Sequence, residues 1–249
     1  YFGVNHLAGD AGVMCTASHN PAEYNGYKMT CAGAVPSIAK VSNDKLWEMA
    51  CAGEFVDPPE KGTVLKQEDV LDAYTEAVLD NAGVRSFGDL NIVVDCGNGM
   101  GGYILPKIFG KVGNAPTRLY WRLDGNFPNH EANPLKTETL LALRDRVVDE
   151  CADIGAAFDG DGDRVAFVDE KGEIISGDFI PALIAREMLK KKPGAEILYD
   201  LRSSWVVPEE IEAAGGKATQ CRVGHGLIKK QMREEGGYFG GELSSHYYF

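Results

Sequence analysis

Residues 155–168 read GAAFDGDGDRVAFV, and their reading decides the fold class. Gly155–Phe158 is a short apolar run of strand length that leads into an aspartate-rich loop. Val165–Val168 is a second such run that pairs back on the first, and Glu170-Lys171-Gly172 turns the chain beyond it. Upstream, Thr137–Cys151 is expected to be a helix, and Asn91–Asp95 a buried strand that opens the same unit. The loop Cys96-Gly97-Asn98-Gly99-Met100-Gly101-Gly102 leads from that strand into a helix around Tyr103–Phe109. Short apolar runs alternating with amphipathic stretches are the pattern of βαβ units.

The same pattern extends both ways. Ala11–Thr16 reads as a short buried strand, Ala17–Asn25 as a loop and Tyr27–Thr30 as the return strand. Asn43–Ala52 has helical spacing with Ser42 or Asn43 as cap, and Gly53–Gly62 reads as loop. Gln67–Asn81 places Val70, Leu71, Tyr74, Val78 and Leu79 on one stripe, with Gly83 as the stop. Downstream, Gly177–Lys190 is a helix with Pro181 in its first turn. Glu196–Asp200 and Ala218–Val223 are strands joined by the crossover helix Ser204–Ala214. The fold class is α/β, with three consecutive units spanning 1–84, 85–176 and 177–249.

Composition limits the function. The 249 residues carry a net charge of −12, which argues against nucleic acid or an anionic membrane as partner. No apolar run approaches the ~20 residues needed to span a bilayer. The start YFGVNHLAGD lacks a basic n-region and apolar core, so no signal peptide is read. The six cysteines, Cys15, Cys31, Cys51, Cys96, Cys151 and Cys221, show no CxxC pair; core thiols in a reduced cytosolic chain are the expectation. A chain that starts without Met and stops on three aromatics, Tyr247-Tyr248-Phe249, expected to be exposed, suggests a fragment of a longer protein.

Four segments carry chemistry. In Asp159-Gly160-Asp161-Gly162-Asp163-Arg164 the glycines let three carboxylates converge, which is costly without a cation. An all-oxygen set suits Mg²⁺, Mn²⁺ or Ca²⁺ rather than zinc, and Arg164 can hold a phosphate. An EF-hand loop is the competing reading, with Glu170 at the twelfth position. Its obligatory sixth-position glycine is Arg164 here, however, and a strand follows.

Thr16-Ala17-Ser18-His19-Asn20-Pro21 delivers a hydroxyl into a loop close to His19 and Lys28, as a serine that accepts and returns a phosphoryl group requires; a capped turn is the plainer alternative. Glu242, Ser244 and His246 alternate, so an extended segment would present them on one face to several sugar hydroxyls. Arg222-Val223-Gly224-His225-Gly226 turns into a helix start that offers free N–H groups to an anion. The GNGMGG loop lacks the GxGxxG spacing and reads as close packing without a dinucleotide.

Together and in this order, TASHNP, DGDGDR and GELSSH, with VVDCGNGMGG, DGNFPNHEANP and RVGHGLIK, resemble the phosphomannomutase/phosphoglucomutase family, the α-D-phosphohexomutases. The resemblance covers essentially the whole chain. It implies three-layer α/β/α mutase domains with mixed sheets: part of domain I with the serine loop, domain II with the metal loop and part of domain III with the sugar loop. It implies Ser18 as the phosphorylated catalytic serine, with Asp159, Asp161, Asp163 and the Ser18 phosphate as Mg²⁺ ligands. His19 and Lys28 lie at the reacting phosphate. Arg164, Arg202, Gly224, His225, Glu242 and Ser244 contact substrate, and His246 helps proton transfer.

The implied substrate is a hexose phosphate, mannose or glucose, turned over through a bisphosphate in the cytoplasm. A phosphoglucosamine mutase, or a sugar-phosphate- or metal-binding relic without catalysis, are the alternatives; no oligomeric state follows. Gly162 stands where phosphoglucosamine mutases usually have Ala, which favours a hexose. Ser245 stands where relatives usually have Gly, and Gly226 where many have Ser. Relatives carry further segments at both ends, including a phosphate-binding domain, and the third domain is expected to be cut short.

Overall fold

The computed structural model describes residues 1–249, residue 39 by its backbone alone. The first unit contains α1 (Phe2–His6), β1 (Ala11–Cys15), β2 (Tyr27–Cys31), β3 (Val35–Pro36) and α2 (Asn43–Ala52). Its strands form an antiparallel sheet in the order β1-β2-β3, with Ala11 opposite Cys31 and Cys15 opposite Tyr27. Ser42 Oγ accepts the Lys45 amide at 3.2 Å, which settles the cap of α2. The burial expected for β1 does not hold: Val13 and Met14 are 67% and 49% exposed. α1 packs over Gly12, while Val13 and Met14 stay open to solvent.

The second unit runs α3 (Val70–Ala82), β4 (Ile92–Asp95), α4 (Gly101–Val112), β5 (Thr117–Leu119), α5 (Leu141–Asp149), β6 (Ile154–Phe158), β7 (Val165–Asp169) and β8 (Ile174–Ile175). Its sheet has the order β5-β4-β6-β7-β8; β4 is parallel to β5 and β6, and β7 and β8 return antiparallel. Alternation along β4 builds two cores. Val93 faces Leu140, Leu143 and Val147, whereas Ile92 and Val94 face Leu79, Leu105, Phe109 and Val112. The helix expected over 137–151 is a 3₁₀ turn at Thr137–Leu140 followed by α5. α3 links two units: Tyr74 packs on Phe2 at 5.4 Å between ring centres, and Leu79 joins the core of the second sheet. The seam expected near residue 84 therefore falls after a helix that already belongs to the second core.

The third unit runs α6 (Phe179–Lys191), β9 (Glu196–Asp200), α7 (Val206–Ala213), β10 (Lys217–Cys221), α8 (His225–Glu235), β11 (Phe239–Gly241) and β12 (Tyr247–Tyr248). The sheet order is β10-β9-β11-β12, with β12 alone antiparallel. α6 and α7 pack Ala185, Leu189, Val207 and Ile211 on one face, and α8 packs Ile228 on the other. The terminal aromatics are not all exposed. Tyr248 is buried in the α8 face, because β12 is paired with β11, and Phe249 alone of the three is exposed.

Two of these sheets repeat one plan: β5-β4-β6-β7 corresponds to β10-β9-β11-β12, with the last strand reversed in both. No identity between the sequences reveals this. The six cysteines are all free, but only Cys96 and Cys221 are buried, so the expectation of core thiols holds for two of them. Among the described residues no helix is long and apolar enough to cross a membrane.

Candidate active site

Each unit contributes one loop between a strand and its antiparallel return. β1 runs into residues 16–26, β6 into 159–164 and β11 into 242–246. The loops meet although the chain separates them widely. Ser18 Oγ donates to Asp159 Oδ2 at 2.9 Å across 141 positions. Thr16 Oγ1 donates to Asp161 Oδ2 at 2.8 Å and accepts the Ser18 amide at 2.9 Å. This bond holds Ser18 in a left-handed conformation, φ 54°, that costs about 1 kcal/mol and lifts the hydroxyl toward the aspartates. His19 Nδ1 lies 3.1 Å from the same hydroxyl, and burial followed by the charge of Arg164 lowers its pKa.

Close backbone approach explains the glycines. A Cβ at Gly160 would sit 2.1 Å from the Ser18 carbonyl oxygen, and one at Gly99 would sit 2.6 Å from the Gly160 carbonyl oxygen. The serine loop, the aspartate loop and the 96–102 loop are thus stacked backbone on backbone, which is the close packing expected of GNGMGG.

Asp159 is fully buried. Its Oδ1 accepts the amides of Asp163 and Arg164 at 3.0 and 3.1 Å. Burial, then the charges of Asp163 and Asp161, pushes its pKa up to about 6. Lys28 Nζ bridges Asp161 at 2.7 Å and Asp163 at 2.5 Å. Burial alone would lower the lysine's pKa, and those two bonds outweigh it and raise it. Asp163 is driven well below the usual carboxylate range: burial opposes this, but His246 and Lys28 prevail.

A cation fits this trio on two counts. The carboxylate oxygens of Asp159, Asp161 and Asp163 lie within 4.8 Å of one another, and Asp161 Oδ1 is buried with no hydrogen-bond partner. Hard oxygen donors suit a hard divalent ion.

The third loop joins the same network. His246 Nε2 lies 3.1 Å from Asp163 Oδ1, and its Nδ1 lies 3.1 Å from both Glu242 Oε2 and Ser244 Oγ. Burial lowers the His246 pKa, and the two carboxylates reverse this and raise it. Arg164 Nε stands 3.3 Å from His246 Nε2 and 4.0 Å from Asp159. Glu242 is engaged on both oxygens. Oε1 accepts the Gly224 amide at 2.9 Å, and Oε2 accepts Tyr248 Oη at 2.5 Å. Ser245 adopts φ 64°, and its carbonyl accepts the Val165 amide at 3.2 Å.

His225 lines a cleft of about 1120 Å³ together with Asp161, Asp163 and His246. Arg202 reaches the network indirectly: Asp200 binds its guanidinium at 2.7 Å and the Leu243 amide at 3.0 Å. Thr16, Asp200 and Tyr248 were not singled out from sequence. Thr16 and Tyr248 each lie two positions from a residue that was, which is the period of an extended chain, while Asp200 ends a recognised strand.

The arrangement suits phosphoryl chemistry: a hydroxyl, a lysine, an arginine and a cation-ready trio converge at one point. Models of one family match the chain. They are described as phosphoglucomutase/phosphomannomutase, alpha/beta/alpha domains I, II and III, over residues 1–55, 72–172 and 176–249. The chain is 38% identical over 249 residues to the phosphomannomutase/phosphoglucomutase of Pseudomonas aeruginosa, covering 100% of itself and 52% of that protein. It is 39% identical over 256 residues to the phosphomannomutase of Escherichia coli, covering 100% of itself and 56% of that protein. A crystal structure of a phosphoglucomutase/phosphomannomutase family protein from Burkholderia thailandensis superimposes with a TM-score of 0.86 at 35% identity, over 96% of this chain and 51% of that one. The chain spans about half the length of the curated relatives it matches.

Proposed function

The chain belongs to the phosphoglucomutase/phosphomannomutase family, and from that membership we propose that it carries three loops of an enzyme interconverting hexose 1-phosphate and hexose 6-phosphate, with mannose or glucose as the sugar. The observation that supports this most directly is the Ser18 hydroxyl, hydrogen-bonded to Asp159 at 2.9 Å beside an aspartate oxygen with no partner.

In this reading phospho-Ser18 gives its phosphoryl group to the free hydroxyl of a hexose monophosphate. The P–O bond to Ser18 breaks as a P–O bond to the sugar forms, and the hydroxyl proton ends on Ser18 Oγ. His19 Nδ1, 3.1 Å from Oγ and with its pKa lowered by burial and then by the charge of Arg164, is placed to relay that proton. The bisphosphate turns over in the cleft, and its other phosphate returns to Ser18 by the reverse exchange.

Asp159, Asp161 and Asp163 would hold Mg²⁺ together with the Ser18 phosphate; the bound ion supplies charge stabilisation to the transferring group. Lys28 adds a second positive charge there, and Arg164 stands ready for a substrate phosphate. His246, whose pKa the facing carboxylates Asp163 and Glu242 raise against burial, is placed beside the sugar wall to help proton transfer. Arg202, Gly224, His225, Glu242 and Ser244 complete that wall.

The test is an isomerisation assay on the full-length gene product with mannose and glucose phosphates, with Mg²⁺ and with chelator, alongside mass spectrometry of Ser18. Activity that needs Mg²⁺, and phosphate on Ser18, are expected. A Ser18→Ala variant with full activity would end the reading.

A further inference from the structure

Three loops of the sugar wall leave the carboxyl ends of adjacent parallel strands: β9 leads to Arg202, β10 to Gly224 and His225, and β11 to Glu242 and Ser244. Ligands of open α/β sheets sit at such strand ends. Asp200 is the last residue of the middle strand, β9, and is fully buried. A buried carboxylate is costly unless donors surround it. Here Oδ1 accepts the Arg202 amide at 2.7 Å, and Oδ2 accepts Arg202 Nη2 at 2.7 Å and the Leu243 amide at 3.0 Å.

The second sheet supplies an internal control. Asp95 ends β4, the strand that corresponds to β9, and is equally buried. Its Oδ1 accepts the Gly97 amide at 2.7 Å, the same bond to the residue two positions on. That bond is therefore a common device of the fold. What differs is the second oxygen. Asp95 Oδ2 meets His130 at 3.0 Å, whereas Asp200 Oδ2 ties a guanidinium to the backbone of the neighbouring loop. Arg202 has no other side-chain bond among the described residues and is 40% exposed, so its remaining N–H donors stay free while its direction is fixed.

Resting on the function proposed above, we propose that Asp200 is a positioning residue: it holds the Arg202 guanidinium in register with the Glu242–Ser244 loop, so that the two grip one sugar phosphate, without touching the substrate itself. Pre-orientation of this kind appears in substrate binding, because it lowers the cost of ordering a long side chain when the ligand arrives. The Ser18 and aspartate loops stand on the other two units, and none of the three Asp200 side-chain bonds reaches them.

The experiment is steady-state kinetics of the full-length enzyme and its Asp200→Asn variant, with Ser18 phosphate content and metal dependence measured in parallel. Asn keeps the size of the side chain but turns an amide donor toward Arg202 or Leu243. KM for the hexose phosphate is expected to rise at least about tenfold, with kcat changed far less and with phosphoserine content and metal dependence as in the wild type. In an Arg202→Gln background the same change should raise KM by less than about threefold. A KM within about twofold of wild type, or an equal rise with and without Arg202, would overturn the role. Should D200N alone not fold, the pair D200N with R202Q removes both charges together, and its KM relative to R202Q decides by the same threefold criterion. A wild-type protein with no mutase activity would refute the underlying reading; an active wild type with an unaltered D200N would refute this inference alone.

Discussion

Asp159 follows β6 and Glu242 follows β11, the matching strands of two sheets with one plan, and both side chains are buried. Their surroundings differ. Glu242 is answered by His246, Tyr248 and the Gly224 amide, and although burial would raise its pKa these donors hold it at about 2. Asp159 has two further carboxylates beside it, and its pKa moves the other way, to about 6. The same place in the fold thus carries a satisfied carboxylate that fastens loops together and a crowded one that calls for a cation. Chemistry follows from which donors the neighbouring loop supplies, not from the architecture.

The comparison breaks most readily at Asp161, whose Oδ1 lacks a partner. Asp161→Asn in the full-length enzyme should cost about 10³-fold in kcat/KM, the scale of removing a key electrostatic group. The metal-free variant should melt within a few degrees of wild type, since Asn relieves repulsion with Asp159 while it weakens the pair with Lys28. A melt lowered by many degrees would show that the trio is structural.

Gly160→Ala comes next. The added methyl meets the Ser18 carbonyl, so the serine loop must withdraw from Asp159. A loss of about 10²-fold in activity is expected, in line with a displacement of about 1 Å at a reacting group, and an unaltered rate would mean that the stacked backbones yield easily.

Glu242→Gln probes the satisfied side. It removes charge from a buried network and should destabilise the protein by about 3 kcal/mol in urea titration. The pH dependence follows in sign. Glu242 contributes stability that is fully present above its ordinary pKa of 4.5 and is lost as pH falls toward 2. Asp159, raised from 3.8 to about 6, does the reverse in metal-free protein: its contribution is present below 3.8 and is lost as pH rises through about 6. Stability measured under chelation should lose the first slope in Glu242→Gln and the second in Asp159→Asn; identical slopes in all three proteins would contradict the contrast.

The smallest effect belongs to Ser245. Its φ of 64° favours glycine, and Ser245→Gly should stabilise by about 0.5 kcal/mol in the same titration. A loss of stability would indicate that the serine side chain contributes more than the strain removes.

Much of this was legible in the sequence. DGDGDR announced converging carboxylates, and the strand–loop–strand pattern around it gave the hairpin. The helix over 43–52 matched residue for residue, because Ser42 and the apolar spacing are local signals. The helix expected over 137–151 was split, since a 3₁₀ turn and an α-helix share nearly the same apolar spacing. The exposure of Val13 and Met14 was not legible, because an apolar run states only that a strand is β-prone and not what covers it.

The sequence by itself determined which residues have the chemistry: a serine, three aspartates, a lysine and an alternating Glu-Ser-His, each set by local spacing and side-chain type. Only the tertiary structure decided the bonds by which Ser18 meets Asp159, Thr16 answers Asp161, and Asp200 and Tyr248 fasten the 242–246 loop. The first two contacts join different units, and the last two join separate strands and loops of the third unit. Such pairings depend on sheet order and on close backbone stacking, and neither leaves a periodic trace along a single chain.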